Sequence, residues 1–307
     1  MAIDPRQLLH LLAIHEYGSL SKAAEPLGLS QPALSNSIAT LERRLGAAVL
    51  NRTARGATVN GLGAILVRRT RELRSVMRNA EDEVRLSRSG RSGPLAIGVT
   101  PSVVEHLIPA TLKSLRSGAS SLSVTVVEGL DEPLDAALLN GELDLVIGAV
   151  GRPGSPAEIT EETLLPDPYV LGVGPESALC GHAEIALEEA LGQPWVLPRP
   201  GGSAYAHVHA IFLSAGLPWP QDCIHTNSAV LTKRLISQSA AVGLVNILTL
   251  AGWDVPISTV QVREAGVRNI GVRQRLAAEP TPLTERFLEI LRKMSTGLSH
   301  QMPARRS

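Results

Sequence analysis

The 307-residue sequence has few cysteines and aromatic residues, and it contains no long apolar run. Its two cysteines, Cys180 and Cys223, lack the spacing of a metal site, so we expect no metal and a reducing, cytoplasmic environment. No apolar segment approaches the roughly 18 residues that a membrane-spanning helix needs, which argues against a membrane partner. The first residues include an acid and a proline but no basic segment, so we expect no signal peptide.

Catalytic motifs are also missing. The sequence contains no GxSxG elbow, no P-loop, and no GxGxxG between a strand and a helix. His207 and His209 would lie about 200° apart on a helix, which suits surface histidines better than metal ligands. Glu161-Glu162 and Glu188-Glu189 are expected to be solvated pairs. We therefore expect no enzyme and no cofactor, since an enzyme on this scaffold would need a nucleophile–base pair or a cofactor loop.

The chain has no net charge, but its charges are unevenly distributed. Residues 1–92 contain 14 Lys and Arg against 8 Asp and Glu, whereas residues 93–307 contain 15 against 21. A basic front and an acidic remainder suit a nucleic-acid-binding head on a body that avoids nucleic acid. The chain length predicts two or three domains.

A helix-turn-helix is predicted between Gly18 and Leu45. A first short helix would run from Ser19 to Leu27 and contain Pro26, which should shorten or bend it. Gly28 suits the tight turn, and Ser30 and Pro32 suit the cap and first turn of a second helix. That helix has an apolar stripe at Leu34, Ile38, Leu41 and Leu45.

The opposite face of the second helix is small and polar at its N-terminal end, as a helix that enters a DNA major groove requires. The alternative is a surface hairpin whose polar face meets only water. A helix over Pro5–Glu16 should precede this unit, and residues 47–60 should form a two-stranded wing. Arg52 and Arg55 near the tip of the wing could contact phosphates or the minor groove, or could simply be solvated. The candidate DNA contacts are Ser30, Gln31, Pro32, Ser35, Asn36, Arg43, Arg52 and Arg55.

A long helix is expected from Leu62 to about Arg88. Its apolar residues form a nearly continuous stripe, which pairing with a second copy would bury. Packing onto the chain's own body is the alternative. A breaker-rich hinge over 89–94 follows, and beyond it strands and helices alternate, which predicts an α/β fold with a mainly parallel sheet.

The first sixty residues resemble the N-terminal domain of LysR-type transcriptional regulators. The matching residues are Gly18-Ser19-Leu20, Ala23-Ala24, Leu29-Ser30-Gln31-Pro32-Ala33-Leu34-Ser35, Ile38, Leu41-Glu42, Leu45-Gly46, Arg52-Thr53 and Arg55-Gly56. The sequence departs from the family where basic residues often follow the motif, since Asn36, Ser37 and Ala39 stand there. The segments GELDLVIGAV, EITEE and LLPDPYVLGVGPE resemble the subgroup that regulates sugar and aromatic-acid catabolism.

The resemblance implies a fold and a mechanism. It implies a winged helix-turn-helix over 1–60, a dimerising linker helix over 61–90, and a periplasmic-binding-protein-like effector domain over 93–300. One lobe of that domain would comprise about 93–163 and 268–300, and the other about 164–267. Homodimers or homotetramers would bind double-stranded promoter DNA, and a small effector closing the cleft would alter DNA contacts. A stand-alone solute-binding module without DNA function is the alternative.

Three polar junctions between a strand and a helix are candidate effector contacts, because ligands of α/β sheets bind beyond the carboxyl ends of strands. Free N–H groups at helix starts favour an anion, so we expect a small, carboxylate-bearing effector. Any one junction could be an ordinary helix cap. The resemblance supports Ser102, Ser203, Asn227 and Ser228 as ligand contacts. The full candidate set is Thr100, Ser102, Gly202, Ser203, Thr226, Asn227 and Ser228.

Overall fold

The computed structural model describes residues 3–53, 56–88, 92–117, 122–250, 256–276 and 278–301. The chain forms two compact units. The first comprises Met1–Arg85 with Leu139–Glu142, and the second comprises Leu86–Leu138 with Leu143–Ser307.

The first unit contains the predicted winged helix-turn-helix and the long helix. Its elements are α1 (Pro5–Tyr17), α2 (Leu20–Ala24), α3 (Gln31–Leu45), β1 (Leu50–Thr53), β2 (Gly56–Val59) and α4 (Gly61–Arg88). The prediction that Pro26 lies inside the first short helix of the helix-turn-helix was wrong, because α2 ends at Ala24. Proline has no N–H to continue the helical ladder, so Pro26 lies in the turn that Gly28 completes at a φ of 64°.

The helix-turn-helix folds around the stripe that the sequence predicted. Leu34, Ile38 and Leu41 of α3 are fully buried, and they pack in one cluster with Leu11 of α1 and Ala23 of α2. The core consists of aliphatic side chains, as the shortage of aromatic residues requires.

Two polar side chains attach the wing to the helices beside it. Oε1 of Glu42 accepts hydrogen bonds from the backbone N–H groups of Val49 (2.9 Å) and Leu50 (3.3 Å) as the chain enters β1. The side chain of Asn60 donates to the Ala48 carbonyl and accepts from the N–H of Gly63, at 2.8 and 2.9 Å. The orientation of the antiparallel β1–β2 pair is therefore fixed relative to α3 and α4.

Helix α4 leaves much of its apolar stripe uncovered in the single chain. Exposed fractions reach 64% at Val76 and 62% at Val84, and Leu62, Ile65 and Met77 are also exposed. A row of this kind is unusual on a solvated helix, so it marks α4 as a candidate pairing surface.

The second unit alternates strands and helices. Its elements are β3 (Ser92–Val99), α5 (Pro101–Val104), α6 (Leu107–Ser117), β4 (Leu122–Glu128), α7 (Asp131–Leu139), β5 (Leu145–Val150), β6 (Ile159–Val173), β7 (Glu184–Ile185), a 3-10 turn (Leu187–Ala190), β8 (Trp195–Leu197), α8 (Ser203–Ser214), β9 (Cys223–His225), α9 (Ala229–Ser237), β10 (Val242–Asn246), α10 (Ile247–Leu250), β11 (Ser258–Val262), β12 (Val267–Arg275) and α11 (Pro282–Gln301). The helical segment that follows β3 is interrupted after Val104. Pro109 cannot donate to the carbonyl four residues earlier, so the regular ladder restarts at Leu107.

Two long strands join the two lobes of this unit. Antiparallel pairing of β6 with β12 covers residues 159–168 of β6, and pairing with β10 begins at Tyr169. The sheet order is β4-β3-β5-β12-β6 on one side and β6-β10-β8-β9 on the other. The predicted parallel arrangement holds for β3, β4 and β5 and for β8, β9 and β10, whereas β6 and β12 are antiparallel to their neighbours.

Each lobe has its own hydrophobic core, one around Ile97, Ile147 and Phe287 and the other around Leu171, Trp195 and Leu244. No helix in the described ranges is long and apolar enough to cross a membrane.

Candidate functional site

The exposed face of α3 is the first candidate site. Gln31, Pro32, Asn36 and Arg43 are exposed, and Ser35 is half-buried. The side chain of Asn36 has no hydrogen-bond partner in the described part of the chain, so its amide is available to a ligand. This face therefore presents donors and acceptors of a size that suits base edges.

Two of the predicted DNA contacts also have local structural roles. Oγ of Ser30 accepts a hydrogen bond from the Ala33 N–H at 3.3 Å and so caps α3. Oγ of Ser21 on α2 donates to Oε1 of Gln31 at 3.3 Å, which links the two helices of the motif. The side chain of Arg52 and all of Arg55 lie outside the described residues.

The inner side of α3 is fixed to α1. Nδ1 of His10 and Oγ of Ser37 lie 2.7 Å apart in a partly buried hydrogen bond. Burial lowers the pKa of His10 despite the opposing effect of Asp4, so its imidazole is neutral at pH 7. Ser37 thus faces inward, while its neighbour Asn36 faces outward.

The second candidate site is a cavity of about 110 Å³ between the lobes of the second unit. It lies beyond the carboxyl ends of β3, β8, β9 and β10, where ligands of α/β sheets bind. A cavity that holds one water molecule has roughly 10–15 Å³, so this cavity is large enough for a small organic molecule. Its polar and charged lining residues are Thr100, Ser102, Asp131, Tyr169, Ser203, Thr226, Asn227, Thr232, Asn246, Thr249 and Arg268.

The structure brings most of the predicted effector residues to this cavity. Its lining includes Thr100, Ser102, Gly202, Ser203, Thr226 and Asn227. Ser228 is not among the lining residues. Its Oγ accepts the Leu231 N–H at 3.2 Å, so it caps α9, as the alternative interpretation of these junctions had it.

Three hydroxyl groups around the cavity are buried without a hydrogen-bond partner in the described structure. They belong to Thr100, Ser102 and Tyr169, whose exposed fractions are 6%, 7% and 3%. Burial raises the pKa of Tyr169 although the Arg268 charge opposes it, so the phenol remains a neutral donor. An unsatisfied buried hydroxyl costs about 1–3 kcal/mol, which a polar ligand would recover.

Arg268 is a lining residue that the sequence did not identify. Its Nε and Nη2 both donate to Oδ2 of Asp167, at 3.0 and 2.8 Å, and Oδ1 of Asp167 accepts the Leu248 N–H at 3.0 Å. Burial alone would lower the pKa of Arg268, but the Asp167 carboxylate outweighs it and keeps the pKa above its ordinary value. The cavity wall therefore contains a permanently charged, immobilised guanidinium.

Asp131, at the start of α7, is a second charged residue that the sequence did not identify. Its Oδ1 accepts from Nη2 of the fully buried Arg273 at 3.0 Å, and its Oδ2 accepts from the backbone N–H of Ser203 at 3.1 Å. Burial alone would raise the pKa of Asp131, but the Ser203 hydrogen bond and the charges of Arg273 and Arg152 outweigh it and lower the pKa. Asp131 is therefore ionised.

Two polar contacts between described residues join the lobes across the cleft. One is the hydrogen bond from Ser203 on α8 to Asp131, and the other is an ion pair between the fully buried Lys233 of α9 and Glu105. Asn246 lines the cavity, and its Oδ1 accepts a hydrogen bond from Oγ1 of Thr249.

The two histidines of α8 have different surroundings. His209 is exposed, as expected, but the expectation of a surface residue was wrong for His207. Its ring is half-buried and stacks on Tyr169, with centroids 4.7 Å apart and an interplanar angle of 8°. In the described ranges no three His, Cys, Asp or Glu side chains form a group that could hold a metal ion.

A winged helix-turn-helix joined to a two-lobed unit with an interlobe cavity defines the class of ligand-responsive DNA-binding regulators. Two family models match the chain accordingly. The model described as "Bacterial regulatory helix-turn-helix protein, lysR family" matches residues 5–64, and "LysR substrate binding domain" matches residues 88–295. The chain belongs to the LysR family, so it is a transcriptional regulator and not an enzyme.

Individual relatives cover most of the chain at low identity. The chain is 27% identical to the nitrogen assimilation regulatory protein Nac of Klebsiella aerogenes over 302 residues, covering 94% of this chain and 96% of Nac. It is 25% identical to the regulator GbpR of Azospirillum brasilense over 242 residues, covering 77% of this chain and 70% of GbpR. The structure of full-length CbnR in complex with its target DNA has a TM-score of 0.64 at 20% identity and covers 95% of this chain and 100% of that one. The predicted architecture is confirmed.

Proposed function

We propose that this regulator inserts α3 into the major groove of promoter DNA and that a small carboxylate in the interlobe cavity modulates the binding. The exposed polar face of α3 supports the first part, because the major groove admits one helix and presents a distinct hydrogen-bonding pattern for each base pair. Ser35 and Asn36 are assigned to base edges. The remaining DNA contacts are assigned to Ser30, Gln31, Pro32, Arg43, Arg52 and Arg55.

Pairing of two copies through α4 is part of the same proposal. The uncovered apolar row on α4 supports it, because a second copy of the helix would remove that row from water. A dimer would place two copies of α3 on a dyad-symmetric site, and two dimers would form a homotetramer that bends DNA.

The three unpartnered hydroxyls around the cavity are the observation that carries the effector site. A ligand carboxylate could accept hydrogen bonds from Thr100, Ser102 and Tyr169 and from Nη1 of Arg268. The N–H of Ser203 already donates to Asp131, so the carboxylate is assigned to the Thr100–Ser102 end of the cavity. The positive charge that attracts the anion would therefore come from Arg268 and not from the N-terminus of a helix.

Two matched variants test this assignment with a reporter gene controlled by the promoter region upstream of the regulator's own gene. Ser203→Ala keeps the backbone N–H that contacts Asp131 but removes a hydroxyl that lines the cavity and also bonds Asp131. Asn227→Ala removes an amide that lines the cavity and whose oxygen accepts the Arg199 N–H at 3.0 Å. Both should abolish the change in reporter expression that the carboxylate effector causes, and both should leave DNA affinity intact. Ser228→Ala is the control, because it removes only a helix cap and should retain the response. A normal response in the first two variants would exclude these side chains from the effector site.

A further inference from the structure

The cavity wall contains one fixed charge of each sign. Arg268 is 8% exposed and uses Nε and Nη2 to hold Asp167, while its Nη1 donates to no carboxylate among the residues that the structure describes. Asp167 is itself held by the Leu248 N–H. The guanidinium therefore cannot swing away, and Nη1, beside the Tyr169 hydroxyl, is the terminal nitrogen that an anion could bind.

Asp131 supplies the opposite charge and is equally immobile. It is 3% exposed. Its Oδ1 accepts from Arg273 and lies 3.8 Å from Nε of Arg152, and its Oδ2 accepts from the Ser203 N–H, with the Ser203 side chain as a further donor. Two carboxylate oxygens offer about four acceptor positions, so one position remains for a group on the ligand that donates a hydrogen bond.

Both charged groups line the same cavity, whose volume is only about 110 Å³. The charge of Asp131 also contributes to the raised pKa of Arg268. A ligand that fills the cavity would be near both charges. One end of the ligand would contact the positive charge of Arg268, and the other end would contact the negative charge of Asp131.

We propose that the cavity selects carboxylates that also carry a hydroxyl or ammonium group, so that the effector is a small hydroxy acid or amino acid. Its carboxylate would bind Nη1 of Arg268 and the unpartnered hydroxyls, and its donor group would bind Asp131. This inference rests on the proposed effector function of the cavity and specifies the class of ligand.

Electrostatics gives the reason for the selectivity. A plain carboxylate adds a second anion beside Asp131 in a small space of low dielectric and offers that residue no hydrogen bond. A hydroxyl or ammonium group on the ligand forms a charge-assisted hydrogen bond with Asp131. A second carboxylate at the same position would be repelled, so simple diacids should bind poorly.

The test is calorimetric titration of the full-length protein with two matched series of probes. The first series is propionate, lactate, alanine and lactamide, and the second is the corresponding four-carbon series, namely butyrate, 2-hydroxybutyrate, 2-aminobutyrate and 2-hydroxybutyramide. In at least one series we expect the hydroxy or amino acid to bind at least about tenfold more tightly than the plain acid. The amide, which lacks the anion, should not bind. Equal affinity of plain and substituted acids, binding of the amide, or no binding of any acid would overturn the proposal.

Two variants separate the roles of the charges. Asp131→Asn should equalise the affinities of the plain and substituted acids, whereas Tyr169→Phe should weaken both acids and leave their ratio unchanged. An unchanged ratio in Asp131→Asn would contradict the assignment, and if that variant does not fold, the ligand series on the native protein decides. Selection of plain carboxylates would overturn this inference but leave an effector site in place. The proposed regulation would fail only if ligands had no effect on promoter occupancy.

Discussion

Replacing Asn36 with Ala should weaken sequence-specific DNA binding without destabilising the protein. The Asn36 side chain is exposed and makes no hydrogen bond within the described structure, so its removal loses no packing. Alanine also has the higher helix propensity, by up to about 0.7 kcal/mol. If Asn36 contacts a base, the loss should be about 1–3 kcal/mol, which is about 5-fold to about 160-fold in affinity.

Ser37→Ala is the matched control, since it removes a polar group from the adjacent position of the same helix. Its Oγ is hydrogen-bonded to His10 at 2.7 Å, so the change should cost roughly 1 kcal/mol of folding stability, partly offset by the helix propensity of alanine. DNA affinity of the folded protein should remain unchanged. Because Ser37 faces inward, Ser37→Ala should lower stability and not DNA affinity, whereas Asn36→Ala should lower DNA affinity and not stability.

Fluorescence anisotropy with a labelled fragment from the upstream intergenic region, in the presence of competitor DNA, would measure the affinities. Thermal unfolding of each variant would measure stability. Native affinity in Asn36→Ala, or an equal loss of affinity in Ser37→Ala, would refute the proposed orientation of α3.

Three further predictions concern the cavity. Thr100→Val and Ser102→Ala remove hydroxyls that have no hydrogen-bond partner among the described residues, so the thermal midpoint of the ligand-free protein should not fall while ligand binding weakens. A lower midpoint with binding retained would contradict the role of these groups. Gly148→Ala would place a Cβ 2.6 Å from Cγ2 of Thr100 and 3.0 Å from Nη2 of Arg273, so it should cost about 1–3 kcal/mol of stability and impair the ligand response; a native response would argue against a rigid wall. The lowered pKa of Asp131 adds stability that is present above its ordinary value of 3.8 and lost as the pH falls through the folded-state value, so Asp131→Asn should show a weaker acid-induced loss of stability than the native protein; parallel curves would contradict this.

Much of the first unit could be predicted from the sequence because its determinants are local. The cap at Ser30, the left-handed turn at Gly28 and the stripe through Leu34, Ile38 and Leu41 depend only on residues a few positions apart. The prediction failed at Pro26, where the missing N–H ended α2 two residues earlier.

The cavity was predictable only in part. Thr100, Ser203 and Asn227 follow or precede recognisable strands and helices, and the carboxyl ends of such strands converge in an α/β fold. Arg268 could not be identified in this way, because its fixed position depends on Asp167, which lies 101 residues away on another strand. The role of Asp131 likewise depends on Arg273, 142 residues away. Hydrophobic periodicity does not encode such long-range ion pairs.

The salt dependence of promoter binding tests the central claim most directly. The affinity of the full-length protein for DNA upstream of its own gene should be measured at several salt concentrations beside an unrelated fragment of equal length. A regulator that docks α3 and its wing against DNA should prefer the upstream fragment and lose affinity steeply as salt rises, because phosphate contacts release counterions. Equal, salt-insensitive binding to both fragments, or no binding to either, would contradict the account.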